Sequence, residues 1–276
     1  MEPQDKHTTQ HPEEWSPIID EVTLRRLSVD EGVPLGTIEK DLALTCALYT
    51  LSESSLRNYL VFKGGTAIKK IYQPNARFSE DLDFTVTQLS EEDALDALST
   101  ITRTQIDSIQ FGQIKGESYT RQGREYQLGY TGPLEYPNSI RLDFSFRKDV
   151  IEEVEERKVS SIYGETLNSR IKALSFTEIM SEKLRAMMTR ETPRDYYDAW
   201  IHLPKIPDKQ RLKKLVKEKC DKTGYKYDPA SILNPDKLER IDAAWKIRLQ
   251  HLIPECPQFR DIIPGLKTRL SFLYNQ

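Results

Sequence analysis

The chain has few cysteines, no long apolar segment and little net charge. Its 276 residues include three cysteines, Cys46, Cys220 and Cys256, and no two of them form a CxxC pair. This spacing argues against both a disulfide framework and a zinc site. No apolar run approaches the length of about 18 residues that a membrane span needs, and residues 1–17 are polar. We therefore expect a cytoplasmic protein without a signal peptide or membrane association.

The composition is that of a globular protein with an uneven charge distribution. Apolar residues make up 38% of the chain and charged residues 30%, and the net charge is −3. Residues 203–276 contain 16 Lys and Arg against 9 Asp and Glu, a net +7, whereas the rest of the chain carries −10. Most of this basic excess lies within Lys205–Lys226. The segment is either a surface for a polyanion or an ordinary solvated helix face.

Two aspartates one residue apart are the most informative feature of the sequence. Asp81 and Asp83 lie in the segment Arg77–Val86, where apolar residues alternate with them. Because side chains alternate between the two faces of a strand, both carboxylates leave the same face, roughly 7 Å apart. Two carboxylates this close repel each other unless a cation lies between them, and Mg²⁺ prefers oxygen ligands. The pattern predicts a Mg²⁺ site that Mn²⁺ could also occupy.

A Gly-Gly turn precedes the acidic strand. The short apolar segment 59–63 ends at Gly64 and Gly65, and a helical segment follows at 66–72. Glycines let main-chain N–H groups approach a phosphate where a helix begins, and the Thr66 hydroxyl is comparable to the Ser or Thr of other Gly-rich loops. A tight turn without a ligand is the alternative. Arg77, in the same loop as Ser79, either contacts a phosphate or pairs with an acid.

The periodicity changes along the chain and predicts two unlike halves. A helix is predicted from Ser90 to about residue 106. Residues 111–130 form a predicted hairpin, with a positive φ angle at Gly123, and residues 138–146 alternate as a strand. At Ser175 a capping-box pattern with Glu178 begins, and from there on the apolar period is helical. We predict a mixed α/β half followed by an all-helical half, with the boundary near residues 160–175.

Three further residues are candidates for chemistry. If the strand of Asp143 neighbours that of Asp81 and Asp83, three carboxylates converge, and two Mg²⁺ ions bridged by them could hold a nucleoside triphosphate. Otherwise Asp143 is an ordinary solvent-facing strand residue. Lys183 lies at the edge of an apolar helix stripe, where a surface lysine is the alternative. Asp195 lies three residues after Thr192, where it could equally serve as a helix cap.

Together these segments resemble the AbiEii/AbiGii family of nucleotidyltransferase toxins, a branch of the DNA polymerase β-type nucleotidyltransferase superfamily. The resemblance spans roughly residues 18–202 and rests on a lead-in and several ordered segments, Ile38–Asp41, Phe62–Ala67, Arg77–Phe84, Glu182–Ala186, Arg190 and Arg194–Asp198. It implies an α+β fold in which a flexible tail, 1–17, precedes a nucleotidyltransferase domain with a mixed sheet, 18–170. An all-helical domain, 171–276, follows, and the active site lies in the cleft between the two domains.

The resemblance also implies roles for individual residues. The expected catalytic residues are Asp81, Asp83, Lys183 and Asp195. The expected metal ligands are Asp81, Asp83 and Asp143, although Asp143 matches only loosely because the third acidic position varies in the family. The expected nucleotide-binding residues are Lys63, Gly64, Gly65, Thr66, Ser79 and Lys183.

The function that the resemblance implies is that of a Mg²⁺-dependent enzyme that transfers a nucleotide from a nucleoside triphosphate to RNA. The expected acceptor is the 3′ end of tRNA, and the expected result is a block of translation. Such a protein would be the toxin of a toxin–antitoxin or phage-defence system, with a cognate antitoxin as its partner. Two alternatives stay open: phosphoryl transfer to a protein or small molecule, and a catalytically inactive homologue that binds nucleic acid or a partner protein.

Overall fold

The chain has the predicted α+β architecture. The computed structural model describes residues 19–99, 101–120 and 123–274, and the predicted tail 1–17 lies outside them. The helices are α1 Glu21–Glu31, α2 Leu35–Glu53, α3 Gly64–Ala67, α4 Glu91–Ser99, α5 Phe176–Thr189, α6 Pro193–His202, α7 Lys209–Thr223, α8 Pro235–Leu249 and α9 Phe259–Leu270. The strands are β1 Leu60–Lys63, β2 Asp81–Val86, β3 Gln105–Ile106, β4 Ile109–Thr120, β5 Gly123–Thr131, β6 Asn138–Ser145, β7 Glu155–Val159 and β8 Ser169–Ala173.

The strands form one mixed sheet in the order β3-β4-β5-β6-β2-β1-β8-β7. Strand β2 is parallel to β6 and antiparallel to β1, and β1 is in turn parallel to β8. The remaining neighbours are antiparallel. The two predicted acidic strands, β2 and β6, therefore lie side by side near the middle of the sheet.

Alternation along β2 separates the core from the polar face. Leu82 and Phe84 are fully buried, and the Phe84 ring contacts Phe62 of β1 and Phe144 of β6 at centroid distances of 5.2 and 5.7 Å. Helix α2 packs against β2, β6 and β8, and most of its residues are buried. Because the apolar side chains of β2 take this face, Asp81 and Asp83 project from the other one.

The helical half begins directly after the sheet. Helix α5 packs on α6 and α7, and α6 packs on α8 and α9. Ser175 caps α5 by accepting a hydrogen bond from the N–H of Glu178, as predicted. The predicted boundary after residue 170 falls inside β8, which pairs with β1 through Phe62 and Ala173. Buried residues of both halves join in one apolar core, so the division into two domains stays a prediction.

Two local predictions in the sheet region were wrong. Gly123 does not have a positive φ angle. It belongs to β5 and pairs with Ser145 of β6. A Cβ on it would lie 2.4 Å from the carbonyl oxygen of Phe144, so the glycine is required by close packing between strands. The helix that begins after Ser90 ends at Ser99 rather than near residue 106, because Gln105 and Ile106 pair with β4 instead.

Within the described ranges, no helix combines the length and the apolar composition that crossing a bilayer requires.

Candidate functional site

The turn between β1 and α3 brings backbone against an acidic side chain. Gly64 begins α3 with a φ angle of +78°, a conformation that favours glycine. A Cβ at this position would lie 1.9 Å from Oδ2 of Asp83. Gly65 is similarly crowded, with Arg77 and Ser79 each 3.0 Å from its virtual Cβ. Gly64 is therefore required by the close approach of the Asp83 side chain, whereas Gly65 lies in tight contact with the ends of two polar side chains.

Two carboxylates of the site have no protein partner. Strand register places Asp83 of β2 opposite Asp143 of β6. The condition for a role of Asp143, that its strand neighbours the strand of Asp81 and Asp83, is therefore met. Neither carboxylate forms a hydrogen bond or ion pair with any residue that the structure describes. Burial, reinforced by the charges of Asp81 and Asp143, raises the pKa of Asp83 to about 7. The pKa of Asp143 is also raised, mainly by burial.

Asp81 differs from these two because it is held by neighbouring groups. Its Oδ2 atom accepts a hydrogen bond from Arg141 at 2.6 Å, and its Oδ1 atom accepts one from the Ser79 hydroxyl at 3.1 Å. Although burial opposes the shift, Arg194 and Arg141 lower the pKa of Asp81. The hydroxyl of Thr66 donates to the carbonyl oxygen of Asp81 at 2.5 Å and so fixes α3 to the start of β2.

The acidic side chains suit a divalent cation whose remaining ligands come from the substrate and water. No group of three His, Cys, Asp or Glu side chains in the described part of the chain is already arranged to enclose a metal ion. Mg²⁺, however, is commonly bound by one or two carboxylates together with substrate phosphates and water. Asp83 and Asp143 supply two unpaired carboxylates beside the turn at Gly64 and Gly65, so the residues fit such an ion.

Lys183 lies in a buried network of opposite charges. Its Nζ atom is 3.2 Å from Asp195 and 3.0 Å from Asp198. Arg190 binds both oxygens of Asp195, at 2.8 and 3.1 Å, and Arg77 binds both oxygens of Asp198, each at 2.8 Å. Burial opposes the charge of Lys183, but Asp198 and Asp195 outweigh it and raise the lysine pKa. The lysine is therefore held in its charged form beside the carboxylates.

Asp195 is thus an internal ion-pair partner and not a helix cap. Helix α6 begins with Pro193, and the side chain of Thr192 makes no capping hydrogen bond. Arg77 pairs with an acid, the second of its two predicted roles.

An open cleft lies between the sheet and helices α5 and α6. Two adjoining cavities, of about 360 and 230 Å³, share Asp83, Asp143, Lys183 and Arg190 in their walls. The larger cavity is also lined by Ser145, Arg147, Arg185 and Tyr225. The smaller is also lined by Ser79, Arg141, Arg194 and Asp195. The structure therefore brings the predicted residues of β1, β2, β6, α5 and α6 to one place.

Lys63 connects the cleft to helix α7. Its Nζ atom is 3.5 Å from Glu182, which also contacts the fully buried Lys219 at 2.9 Å. Lys219 additionally contacts Glu178 at 2.7 Å. Arg211, also in the basic segment Lys205–Lys226, pairs with Glu152 at 2.5 Å. Glutamates therefore neutralise two of the basic charges of this segment, Lys219 in the interior and Arg211 at the surface, and its interpretation as a positive face stays a prediction.

Sequence reasoning assigned no role to several residues that complete the site. Asp198 follows Asp195 by three residues, a spacing that places both on one face of a helix and that could have identified it. Arg141 precedes Asp143 by two residues and shares its strand face. Arg190 belongs to a segment that carried the resemblance, but nothing in its local sequence indicates Asp195 as its partner.

Comparison with known proteins finds one family model and several solved structures that resemble the chain. The family model described as nucleotidyl transferase AbiEii toxin, type IV toxin–antitoxin system, matches residues 46–268. MenT4, a nucleotidyltransferase toxin from Mycobacterium tuberculosis H37Rv, is 21% identical with a TM-score of 0.72, over 93% of this chain and 90% of that chain. JHP933 from Helicobacter pylori is 16% identical with a TM-score of 0.56, over 88% of this chain and 93% of that chain. At these identities, the two structures support the fold alone. No curated protein sequence matches the chain.

Proposed function

Because this chain belongs to the AbiEii family of nucleotidyltransferase toxins, we propose that it transfers a nucleotide from a nucleoside triphosphate to RNA with the help of Mg²⁺. The observation that carries the proposal is that two half-buried carboxylates, Asp83 and Asp143, lie without a protein partner beside the Gly64 turn. The family is that of type IV toxin–antitoxin systems, so a cognate antitoxin is the expected partner.

The acidic residues would hold the metal. Asp83 and Asp143 offer free carboxylate oxygens, and Asp81 adds a third carboxylate that Arg141 holds in place. A bound Mg²⁺, or Mn²⁺, would neutralise phosphate charge and increase the acidity of an attacking hydroxyl. Repulsion between Asp83 and its two acidic neighbours favours the binding of a cation here.

The basic residues of the cleft would bind the triphosphate. Lys183 and Arg190 line both cavities, and Asp195 and Asp198 hold the lysine charged and oriented. Asp195 is then a positioning residue that acts through Lys183 and Arg190. The main-chain N–H groups at Gly64 and Gly65, with Lys63, lie beside the same carboxylates. Ser79 and Thr66 fix Asp81 and the start of β2 in this arrangement.

The proposed reaction is an in-line displacement at the α-phosphate. A 3′ hydroxyl of the RNA loses its proton and forms the new phosphorus–oxygen bond, while the bond to pyrophosphate breaks. Positioning and charge neutralisation provide the catalysis, which is what a site built from carboxylates, a lysine and arginines supplies. The resemblance makes the 3′ end of tRNA the first acceptor to test, and modification there would block translation.

The test is transfer of label from each α-³²P nucleoside triphosphate to total bacterial RNA in the presence of Mg²⁺. We expect labelled RNA with the wild-type protein and none with Asp83→Asn. The control is Asp242→Asn, which removes the same charge from an exposed position on α8 and should retain activity. Absence of label with all four triphosphates would argue against the proposal. Transfer from γ-³²P triphosphate would instead indicate phosphoryl transfer.

A further inference from the structure

Unpaired hydrogen-bond donors gather at one end of the cleft. The Ser145 hydroxyl and the Nε atoms of Arg147 and Arg185 are buried and have no hydrogen-bond partner among the described residues. All three residues line the same cavity of about 360 Å³. Buried donors without acceptors are costly, so such a cluster indicates an occupant that supplies acceptor oxygens.

No acceptor among the described residues lies within hydrogen-bonding distance of these three donor atoms. Glu182, the carboxylate nearest to Arg185 in sequence, is already bound by Lys219 and Lys63. Arg147 forms no ion pair with any residue in the described ranges. Guanidinium groups only donate, and their forked N–H groups match the oxygens of a phosphate. The expected occupant is therefore a phosphate-bearing molecule.

Two of the unpaired donors, on Ser145 and Arg147, follow Asp143 along β6 and beyond its end. Asp143 and Ser145 share one face of β6, and Arg147 lies two residues further along the chain. Each step of two residues in extended chain advances roughly 7 Å, so the donors extend away from Asp143 instead of surrounding it. A strand of nucleotides, which presents one phosphate after another, matches this arrangement better than a single triphosphate fixed at Lys183.

An aromatic ring faces the same cavity. The Arg185 guanidinium lies 5.5 Å from the ring centroid of Tyr225, and both residues line the cavity wall. Proteins that bind single-stranded nucleic acid combine cationic groups for the backbone with aromatic rings on which bases stack. Arginines and a tyrosine together therefore fit an unpaired strand end.

We propose that Ser145, Arg147, Arg185 and Tyr225 form the acceptor subsite, which binds the 3′-terminal nucleotides of a single-stranded RNA end. The arginines and the serine bind backbone phosphates, and the tyrosine ring stacks on a base. This assignment rests on the proposed transfer to RNA and adds the surface that presents the 3′ hydroxyl to Asp143.

The first test measures binding of a short fluorescent single-stranded oligoribonucleotide at several salt concentrations. Arg147→Ala and Arg185→Ala should each raise the Kd about tenfold. Each should also reduce the slope of log Kd against log salt concentration by about 0.7, the contribution of one lost phosphate contact. Arg260→Ala removes an exposed arginine of α9 and should leave both values unchanged. Arg147→Lys, which keeps the charge, should keep the slope while losing part of the affinity.

The stacking contact has its own pair of variants. Tyr225→Phe keeps the ring and should bind the oligoribonucleotide as wild type does, whereas Tyr225→Ala should raise the Kd about tenfold. Circular dichroism and thermal unfolding establish that each variant is folded.

A parallel measurement separates the RNA strand from the nucleotide as the source of the phosphate. Labelled nucleoside triphosphate should bind to the Arg147 and Arg185 variants with wild-type affinity. The assignment would be overturned if the Arg147 and Arg185 variants bound triphosphate more weakly but the oligoribonucleotide normally. It would also be overturned if Arg260→Ala weakened oligoribonucleotide binding as much as they do. Wild-type label transfer reports the proposed function separately. If that transfer occurs and the variants bind RNA normally, the subsite is wrong while the function stands.

Discussion

At the scale of single residues, Gly64 shows how backbone conformation and site geometry depend on each other. Its positive φ angle turns the chain from β1 into α3, and its missing side chain leaves room for the carboxylate of Asp83. The sequence predicted the turn because a Gly-Gly pair follows an apolar segment. It did not indicate that an acidic side chain 19 residues later would occupy the space beside Gly64.

Replacing Gly64 with alanine should therefore disrupt the site. The new Cβ would overlap Asp83, and φ of +78° is strained for alanine by about 1–2 kcal/mol. We expect a lower melting temperature and at least a tenfold loss of label transfer. Gly36→Ala is the matched control, because Gly36 lies in α2 with nothing within 4 Å of its virtual Cβ. Equal activity of the two variants would contradict this account.

The partners of the charged residues could not be predicted from local sequence. The alternation of Asp81 and Asp83 follows from local sequence, but the pairing of Asp81 with Arg141 depends on strands 60 residues apart. The same holds for Arg77, whose partner Asp198 lies 121 residues away. Local periodicity gives the face on which a side chain lies, whereas the register between distant strands and helices decides what that side chain meets.

At the scale of elements, strongly patterned segments were predicted and short polar strands were not. Strands β1, β2 and β6 have alternating or apolar sequences, and helix α5 has both a capping serine and an apolar stripe. Strands β7 and β8, with the sequences EERKV and SRIKA, are rich in charged residues, as an irregular surface segment would also be. Their strand conformation depends on pairing with each other and with β1.

Helix α7 is anchored to α5 by a lysine with no solvent exposure. Lys219→Met would leave Glu178 and Glu182 buried without their shared cation. Breaking a buried pair in this way costs about 3–5 kcal/mol, so we expect a large fall in the free energy of unfolding measured by urea denaturation. Lys214→Met, at an exposed position of the same helix, should have little effect. A stability loss that is equal in both variants would count against the anchor.

The ion pairs of Glu182 with Lys63 and Lys219 predict how stability changes in acid. Despite burial, Lys63 and Lys219 lower the pKa of Glu182 to about 2 from an ordinary value of 4.5. Because the folded state holds the carboxylate ionised, its contribution to stability is present above pH 4.5 and is lost as the pH falls toward 2. Glu182→Gln should therefore be less stable than wild type at pH 7, and the difference should narrow at pH 3. Chemical denaturation at pH 7 and at pH 3 measures this difference in the free energy of unfolding.

At the scale of the whole molecule, the cleft needs both halves of the chain. The carboxylates come from the sheet, while Lys183 and Asp195 come from helices that begin after the last strand, and Arg190 comes from the segment between those helices. The resemblance predicted that both halves contribute to the site. The net charge of the basic segment was a poor guide, because Lys219 and Arg211 pair with glutamates. Charge counts along a segment do not reveal which charges are buried.

Substrate and metal should therefore stabilise the whole protein together. Ligands that bind only the folded state raise the melting temperature, and a triphosphate that shares its oxygens with Mg²⁺ should bind with it cooperatively. In thermal-shift measurements we expect a larger rise with Mg²⁺ and triphosphate together than the sum of the separate rises. EDTA should abolish this additional rise in melting temperature, and the Asp83→Asn variant should not show it. Simple additivity in the wild-type protein would contradict a shared site.

The pairing of β1 with β8 has a consequence for synthesis on the ribosome. Strand β1 emerges roughly a hundred residues before the strand that covers its second edge, and Lys183 and Lys219 emerge later still. A partly translated chain thus has its acidic strands but no completed cleft. The growing polypeptide therefore lacks the arrangement of residues that the proposed transfer requires until the helical half has left the exit tunnel.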